Sequence, residues 1–302
     1  MEHVIIGNSA AGVFAAEAIR DIDGDCTITI ISDEDCGCYS RCLLPYYLAG
    51  ELSREQLFIR DLAWYKDRRI ETILGQRAAR ILDGERKVVL DDGREIPYDS
   101  LLIATGSSLR FPETDGTDNP MVFGLRTLDD ALRILEALPG AERAVVLGAG
   151  LIGLKAAYAL WKQGLSVTVV EMLGRILPQM LDLPAAEIIE RTLREKDIGV
   201  IKNSSVVEIV GGGDRVESVR LDNGETINCD LVVCAVGVRP NTEVVGDTGI
   251  ETNQGILVDE YMRTNLPGVY AAGDVAETTE FLSGERKVNA TWPSAAREGK
   301  VA

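Results

Sequence analysis

The spacing of hydrophobic and polar positions changes repeatedly along the chain, and each change marks an element. Residues 3–6 (HVII) form a short apolar run that stops at Gly7. GNSAAG, from Gly7 to Gly12, then leads into VFAAEAIRDI, whose apolar residues recur at helical spacing. A second apolar run, TITIIS (27–32), ends in Asp33, Glu34 and Asp35. This order predicts strand, tight glycine loop, helix and strand. It returns in RAVVLG, GAGLIG (Gly148 to Gly153), LKAAYALWKQG and SVTVVE, which closes on Glu171. The likeness extends past the loops, because LDDGREIPYDSLLIATG (90–106) aligns without gaps on LDNGETINCDLVVCAVG (221–237) with seven identities in seventeen positions. DG and NG between β-rich runs are turn dipeptides, and SLLIATG and LVVCAVG are short apolar runs suited to covered strands. The predicted class is α/β, with two Rossmann-like dinucleotide-binding domains, each carrying an added β-meander.

The residue types at the loops suit phosphate chemistry. Glycine lets the backbone approach a pyrophosphate, the helix N-terminus supplies N–H groups and partial positive charge, and a carboxylate about 20 residues on accepts from ribose hydroxyls. The first unit offers Gly7, Ser9, Ala10, Ala11 and Gly12 with Asp33 and Glu34, and the second offers Gly148, Gly150, Leu151, Ile152 and Gly153 with Glu171. Ser9 stands where the second glycine of the pattern belongs, so that site must accommodate a Cβ near the phosphates. At the second loop Glu171 would repel a 2′-phosphate, which favours NAD over NADP, although Arg175 is close enough in sequence to serve an NADP phosphate.

Composition narrows the field further. A length of 302 residues corresponds to roughly two domains. The balance of 31 Lys and Arg against 48 Asp and Glu, a net −17, speaks against nucleic acid or an anionic membrane as partner. The N-terminus MEHVIIGNS has no basic leader, and no run reaches the roughly 18 apolar residues of a membrane span, so the expected location is the cytoplasm. The one histidine, His3, excludes a His-rich zinc site and any His-based triad not built on it. Cysteines fall at 26, 36, 38, 42, 229 and 234, too sparse for a disulfide scaffold, and three of them crowd into seven residues. C-x-C-x3-C matches no zinc or iron–sulfur spacing, and no metal is expected. Cys26, Cys229 and Cys234 read as small buried hydrophobes, and Trp64 and Trp161 as core or interface aromatics.

Over essentially its whole length the chain resembles the FAD/NAD(P)-binding pyridine nucleotide-disulfide oxidoreductase-like family of two-dinucleotide flavoproteins. The resemblance rests on GNSAAG, IATGS (103–107), GAGLIG, AVGVRPNTE (235–243) and TNLPGVYAAGDVAE (264–277). It implies FAD at the first loop, with Ala104, Thr105 and Gly106 closing that half and Gly273 and Asp274 directed to the FAD ribityl chain. It implies NAD at the second loop, with Gly237 closing that half. It also implies a discontinuous FAD domain, 1–112 and 243–302, with the NAD(P) domain 113–242 inserted and Pro112 to Pro120 as a crossing linker. WPSAAREGKVA resembles the start of the family's last FAD-domain helix, where the chain stops. The family's C-terminal interface domain is therefore expected to be absent, and a homodimer is expected only if the full-length protein carries that domain.

Two dinucleotide sites on one chain suit a hydride relay, in which the cofactors carry the redox chemistry and few side chains are needed. The acceptor should be decided by CGCYSRCLLPYY (36–47). RCLLPYY is similar to the CGLPYY segment of coenzyme A disulfide reductases and related NADH oxidases, in which Cys42 is the match to the cysteine facing the flavin. YSRCLL is similar to the stretch found in reductases serving rubredoxin, ferredoxin or nitrite reductase modules, where no cysteine is needed and Arg41 would be a flavin-side cation. The CxxxxC dithiol of glutathione and lipoamide reductases is absent, and Ala10 replaces the histidine of NADH peroxidases. Lys155 stands where relatives often carry Glu. It reads either as a cation favouring anionic reduced flavin or as a solvated helix lysine. The expected function is an FAD-dependent NAD(P)H oxidoreductase passing hydride between NADH and FAD, with a small redox protein or an iron–sulfur or metalloenzyme subunit as electron partner. The rivals are a Cys42-dependent coenzyme A disulfide or polysulfide reductase or NADH oxidase, and an electron-transfer subunit of a larger complex with little activity alone.

Overall fold

In the computed structural model, which describes residues 1–302, the apolar runs become parallel strands because each is covered on both faces. The seven α-helices are α1 (Ala10–Ile22), α2 (Leu44–Leu48), α3 (Leu62–Asp67), α4 (Leu128–Ala137), α5 (Leu151–Lys162), α6 (Leu183–Arg194) and α7 (Trp292–Val301). The chain divides into two compact units. One comprises Met1–Ser40, Phe58–Ser108 and Arg239–Ala302, the other Arg41–Leu57 and Leu109–Val238.

In the first unit a five-stranded parallel sheet runs in the order Val269–Ala271, Ser100–Ile103, Glu2–Ile6, Thr27–Ile31, Glu71–Ile73. Alternate residues of the central strand feed different cores. Val4 and Ile6 join Leu101, Ile103 and Val269 on one face, while Ile5 joins Ile28, Ile30 and Leu102 beside α1 on the other. Each such fully buried aliphatic side chain contributes about 1.5–3 kcal/mol relative to exposure, so the register that pairs Ile5 with Ile30 and Leu102 is strongly fixed. An antiparallel meander follows, Ala78–Leu82, Lys87–Leu90 and Glu95–Pro97, its second turn closed by Gly93 at φ +86°. Helix α7 lies against α1 so closely that a Cβ on Gly299 would stand 2.1 Å from the Ala11 carbonyl oxygen.

The second unit repeats the plan. Its parallel sheet runs Val122–Phe123, Leu231–Cys234, Arg143–Leu147, Ser166–Glu171, Gly199–Lys202, and its meander is Val206–Gly212, Arg215–Leu221, Thr226–Asn228. The aligned segments thus occupy equivalent places, hairpin and then buried strand.

Three details differ from the sequence reading. Residues 41–57 group with the second unit, because α2 docks on α5: Gln163 Nε2 donates to the Leu48 carbonyl at 2.7 Å and the Tyr158 hydroxyl to Glu51 at 3.0 Å. Residues 109–112 also belong to the second unit and 239–242 to the first. The polar stretch after Pro112, expected as a crossing linker, lies within the second unit. Thr114 donates to the Val206 carbonyl, Asn119 to the Arg215 carbonyl, and Asp115 bridges Glu208, which seats it on the second unit's meander. No helix is long and apolar enough to cross a membrane.

Candidate functional site

Each glycine loop is built by the same two contacts. In the first unit Gly7 has φ +122°, a Cβ there would lie 2.1 Å from the Ala104 carbonyl oxygen, and a Cβ on Gly12 would lie 1.9 Å from the Gly7 carbonyl oxygen. In the second, Gly148 has φ +97° with 2.6 Å to the Ala235 oxygen, and Gly153 meets the Gly148 oxygen at 1.9 Å. The outer glycines are therefore demanded by the protein itself. The middle position is not: a Cβ on Gly150 would meet nothing within 4 Å. Glycine there leaves room for something outside the fold, and Ser9 shows that the first loop folds with a side chain at that place.

The helices behind these loops are left open. Asp61, Thr127, Asp182 and Thr291 each cap their helix by accepting a backbone N–H, at the starts of α3, α4, α6 and α7. Ser9 and Gly150, which precede the long helices α1 and α5, make no side-chain cap bond, and neither helix has an acid in its first turn. First-turn N–H groups need an acceptor, and an anion satisfies both that need and the helix dipole. A dinucleotide pyrophosphate fits this donor set at both loops.

Around the first loop, Thr105 and Asn241 lock two separate segments together. The Thr105 hydroxyl donates to the Asn241 carbonyl at 2.7 Å, and Asn241 Nδ2 returns a bond to the Thr105 carbonyl at 2.9 Å. Gly106 continues this turn at φ +68°, its carbonyl accepting the Asn241 N–H. The Ser107 hydroxyl donates to Asp274 at 2.8 Å, so IATGS and AAGD meet. Asp33 is exposed, and the Glu34 carboxylate accepts from the Tyr39 hydroxyl.

Two residues that the sequence reading did not single out organise this loop. Asn8 donates to the Cys36 carbonyl at 3.0 Å, and its side-chain oxygen accepts from the Tyr65 hydroxyl at 2.6 Å, while Tyr65 in turn accepts the Cys38 N–H. Burial pushes the Tyr65 phenol up, so it stays a neutral donor. The Cys36–Cys38 segment is thereby pinned to the glycine loop. The partners lie 28 and 57 residues from Asn8, so no local pattern announces them.

In the second unit Glu171 is buried, and its two oxygens accept from the Ala149 and Leu173 N–H groups at 2.7 and 2.8 Å. Its carboxylate therefore shapes the glycine loop, with lone pairs left for a further donor. Arg175 donates to the Pro178 carbonyl at 2.8 Å, within its own loop. Gly237 has φ +113°, and its carbonyl accepts the Arg110 N–H. Leu151 and Ile152 are exposed at the start of α5. Leu151, Lys155 and Tyr158 of α5, with Pro45, Tyr46 and Glu51, line a mostly apolar cleft of about 410 Å³. Lys155 Nζ lies 5.0 Å from the Tyr46 ring centroid, a cation–π contact.

Arg41 and Cys42 lie on the 3-10 turn Arg41–Leu43 that runs into α2. Arg41 donates to the Arg126 carbonyl at 3.0 Å, and Cys42 is an exposed free thiol. Both were expected in the FAD domain, 1–112, and lie in the second compact unit. Cys26, Cys38, Cys229 and Cys234 are buried, and burial pushes the Cys229 and Cys234 thiols up to about 12. No group of three or more His, Cys, Asp or Glu residues is placed to hold a metal ion.

Comparison with known proteins matches residues 1–299 to the pyridine nucleotide-disulphide oxidoreductase family. The chain is 37% identical to an NADH oxidase of Methanocaldococcus jannaschii, covering all of this chain and 69% of that protein. It superposes on an NAD-dependent persulfide reductase from A. fulgidus with a TM-score of 0.96 at 36% identity, covering all of this chain but only 58% of that one. A ferredoxin reductase from Rhodopseudomonas palustris gives a TM-score of 0.94 at 32% identity over 99% of this chain and 74% of that one. Two dinucleotide loops with open helix ends, a family match over nearly every residue and these likenesses lead to one conclusion: the chain belongs to the pyridine nucleotide-disulphide oxidoreductase family and is an NAD(P)H-dependent flavoprotein oxidoreductase.

Proposed function

We propose that the first unit holds FAD, that the second holds NAD(H), and that electrons taken from NADH pass on to a redox protein without using Cys42. The observation that carries the reading is the pair of uncapped helices, α1 and α5, behind glycine loops of matching geometry. In the first unit the backbone of Gly7, Ser9, Ala10, Ala11 and Gly12 binds the FAD pyrophosphate, Asp33 and Glu34 take the ribose, and Ala104–Gly106 with Gly273 and Asp274 hold the remainder. In the second, Gly148, Gly150, Leu151, Ile152 and Gly153 bind the NAD pyrophosphate, Glu171 fixes the loop and accepts from ribose, and Gly237 closes the site. Bound FAD supplies the exchange between two-electron and one-electron chemistry. The side chains bind, orient and set the local charge, and Lys155, held against Tyr46, supplies a cation beside the nucleotide helix.

The likeness to the ferredoxin reductase supports a protein electron acceptor. The test is anaerobic mixing of purified, FAD-bearing protein with NADH and an oxidised one-electron iron–sulfur protein, for the wild type and Cys42→Ser. Turnover retained in the variant is expected. A second reading, Cys42-dependent reduction of a sulfur substrate, is favoured by the exposure of the Cys42 thiol and by the likeness to the persulfide reductase. It predicts that Cys42→Ser abolishes turnover with a persulfide or disulfide while reduction of the bound flavin by NADH persists.

A further inference from the structure

Leu151, Leu154, Lys155 and Tyr158 follow one another at i, i+3, i+4 and i+7, so they share one face of α5, and that face forms a wall of the apolar cleft. The wall starts at the uncapped first turn of the helix, and Lys155 stands one helical turn, about 6 Å, beyond Leu151. Leu177 lines the same cleft. It lies in the left-handed region at φ +47° and donates its N–H to the Ala149 carbonyl at 2.9 Å, which ties the cleft to the glycine loop. All of these residues belong to the second unit. The acid in the lining, Glu51, is already engaged: it accepts from the Tyr158 hydroxyl at 3.0 Å and stands 3.4 Å from Lys162 Nζ. Lys155 is half-buried, and its ammonium faces the Tyr46 ring. The cleft thus sets a cation in a mostly apolar lining whose acid is paired with another lysine.

We infer that Lys155 makes the second unit distinguish the charge state of the nicotinamide ring, binding the neutral reduced ring more tightly than the cationic oxidised one. The inference rests on the assignment of NAD(H) to the second unit. NADP carries its extra phosphate on the adenosine ribose, so a strand-end acid such as Glu171 marks the adenosine arm. With the pyrophosphate at the first turn of α5, the other arm carries the nicotinamide ring, and the cleft that begins at that turn offers a flat ring the apolar surface it needs. NAD⁺ and NADH differ at this ring by one positive charge. In a cleft of low polarity the repulsion between that charge and Lys155 is weakly screened, and it counts against the oxidised form alone. The face of Tyr46, which would otherwise attract a cationic ring, is already taken by Lys155. The consequence for turnover is ready release of NAD⁺ and weak inhibition by it.

The experiment uses the FAD-bearing protein with oxidised flavin and three ligands that leave it oxidised. These are NAD⁺, its neutral tetrahydronicotinamide analogue, which cannot give up a hydride, and ADP-ribose, which lacks the ring. Dissociation constants are measured by calorimetry for the wild type, Lys155→Gln, Lys155→Glu and Lys155→Arg. The wild type should bind NAD⁺ about tenfold more weakly than the analogue, the effect of one charge pair at the dielectric of a protein surface. Lys155→Gln should bring the two constants within about twofold of each other, Lys155→Glu should reverse the preference, and Lys155→Arg should keep it. ADP-ribose should change by less than about threefold in every variant, because its pyrophosphate is held at the helix end. A wild type that binds NAD⁺ as tightly as the analogue overturns the inference whatever the variants do. So does a loss shared equally by all three ligands in Lys155→Gln, which would make Lys155 a phosphate contact or a structural lysine. Binding of none of the three ligands to the wild type overturns the NAD assignment and the inference together.

Discussion

Glycines that look alike in the sequence carry different burdens. At Gly12 and Gly153 an added Cβ would meet backbone oxygen at 1.9 Å, whereas at Gly150 it would meet nothing. Gly153→Ala should therefore destabilise the apo-protein by roughly 3 kcal/mol, as overpacking against backbone does, read as a lowered Tm. Gly150→Ala should leave Tm nearly unchanged and weaken NADH binding in a titration. Equal losses of stability in the two variants would contradict the assignment of the middle position to the ligand. Another residue-scale prediction concerns Glu277, which is fully buried and accepts from Gln254 N, Gly255 N and Asn253 Nδ2. Burial works against its ionisation, but the bonds from Gly255, Asn253 and Gln254 outweigh burial and hold its carboxyl below the usual range. A depressed acid contributes stability that is fully present above its ordinary value near 4.5 and is lost as pH falls through the folded value. Glu277→Gln should therefore lower Tm at neutral pH, and should lose less on acidification below about pH 4.5 than the wild type does. The glycines and the strand-end acids were legible in the sequence because their spacing is local. Asn8, Tyr65 and Asn241 were not, since each acts through partners far away in the sequence.

At the scale of elements, capping separates helices that close their own first turn from α1 and α5, whose first turns are left without a side-chain cap. Asp182 accepts the Ala185 N–H at 3.0 Å, so Asp182→Ala should cost about 1 kcal/mol of apo-protein stability. Ser9 makes no such bond, and Ser9→Ala should shift the apo Tm little while changing FAD affinity. Thermal unfolding with and without FAD checks both, and a large apo effect of Ser9→Ala would show that the serine caps its helix after all. The two βαβ units and both meanders could be read from period and turn dipeptides, because those signals lie within single elements. The attachment of residues 41–57 to the second unit could not. α2 spans five residues, too few to display a periodic face, and the segment's partners are Gln163, which bonds Leu48, and Tyr158, which bonds Glu51, each more than a hundred residues away.

For the whole molecule, the repeated plan explains how a chain with one histidine supports redox chemistry: the fold supplies two nucleotide cradles, and the nucleotides supply the reactivity. The chain spans 69% of the M. jannaschii NADH oxidase and 58% of the A. fulgidus persulfide reductase. The two readings proposed above, a protein acceptor and a sulfur acceptor, make opposite predictions for Cys42. The most direct measurement is therefore an anaerobic titration with NADH, followed by flavin absorbance, on the FAD-bearing wild type and Cys42→Ser. The account predicts that both proteins take up one NADH per FAD and stop at fully reduced flavin. Uptake of a second equivalent by the wild type, but not by Cys42→Ser, would make Cys42 a redox centre and contradict it.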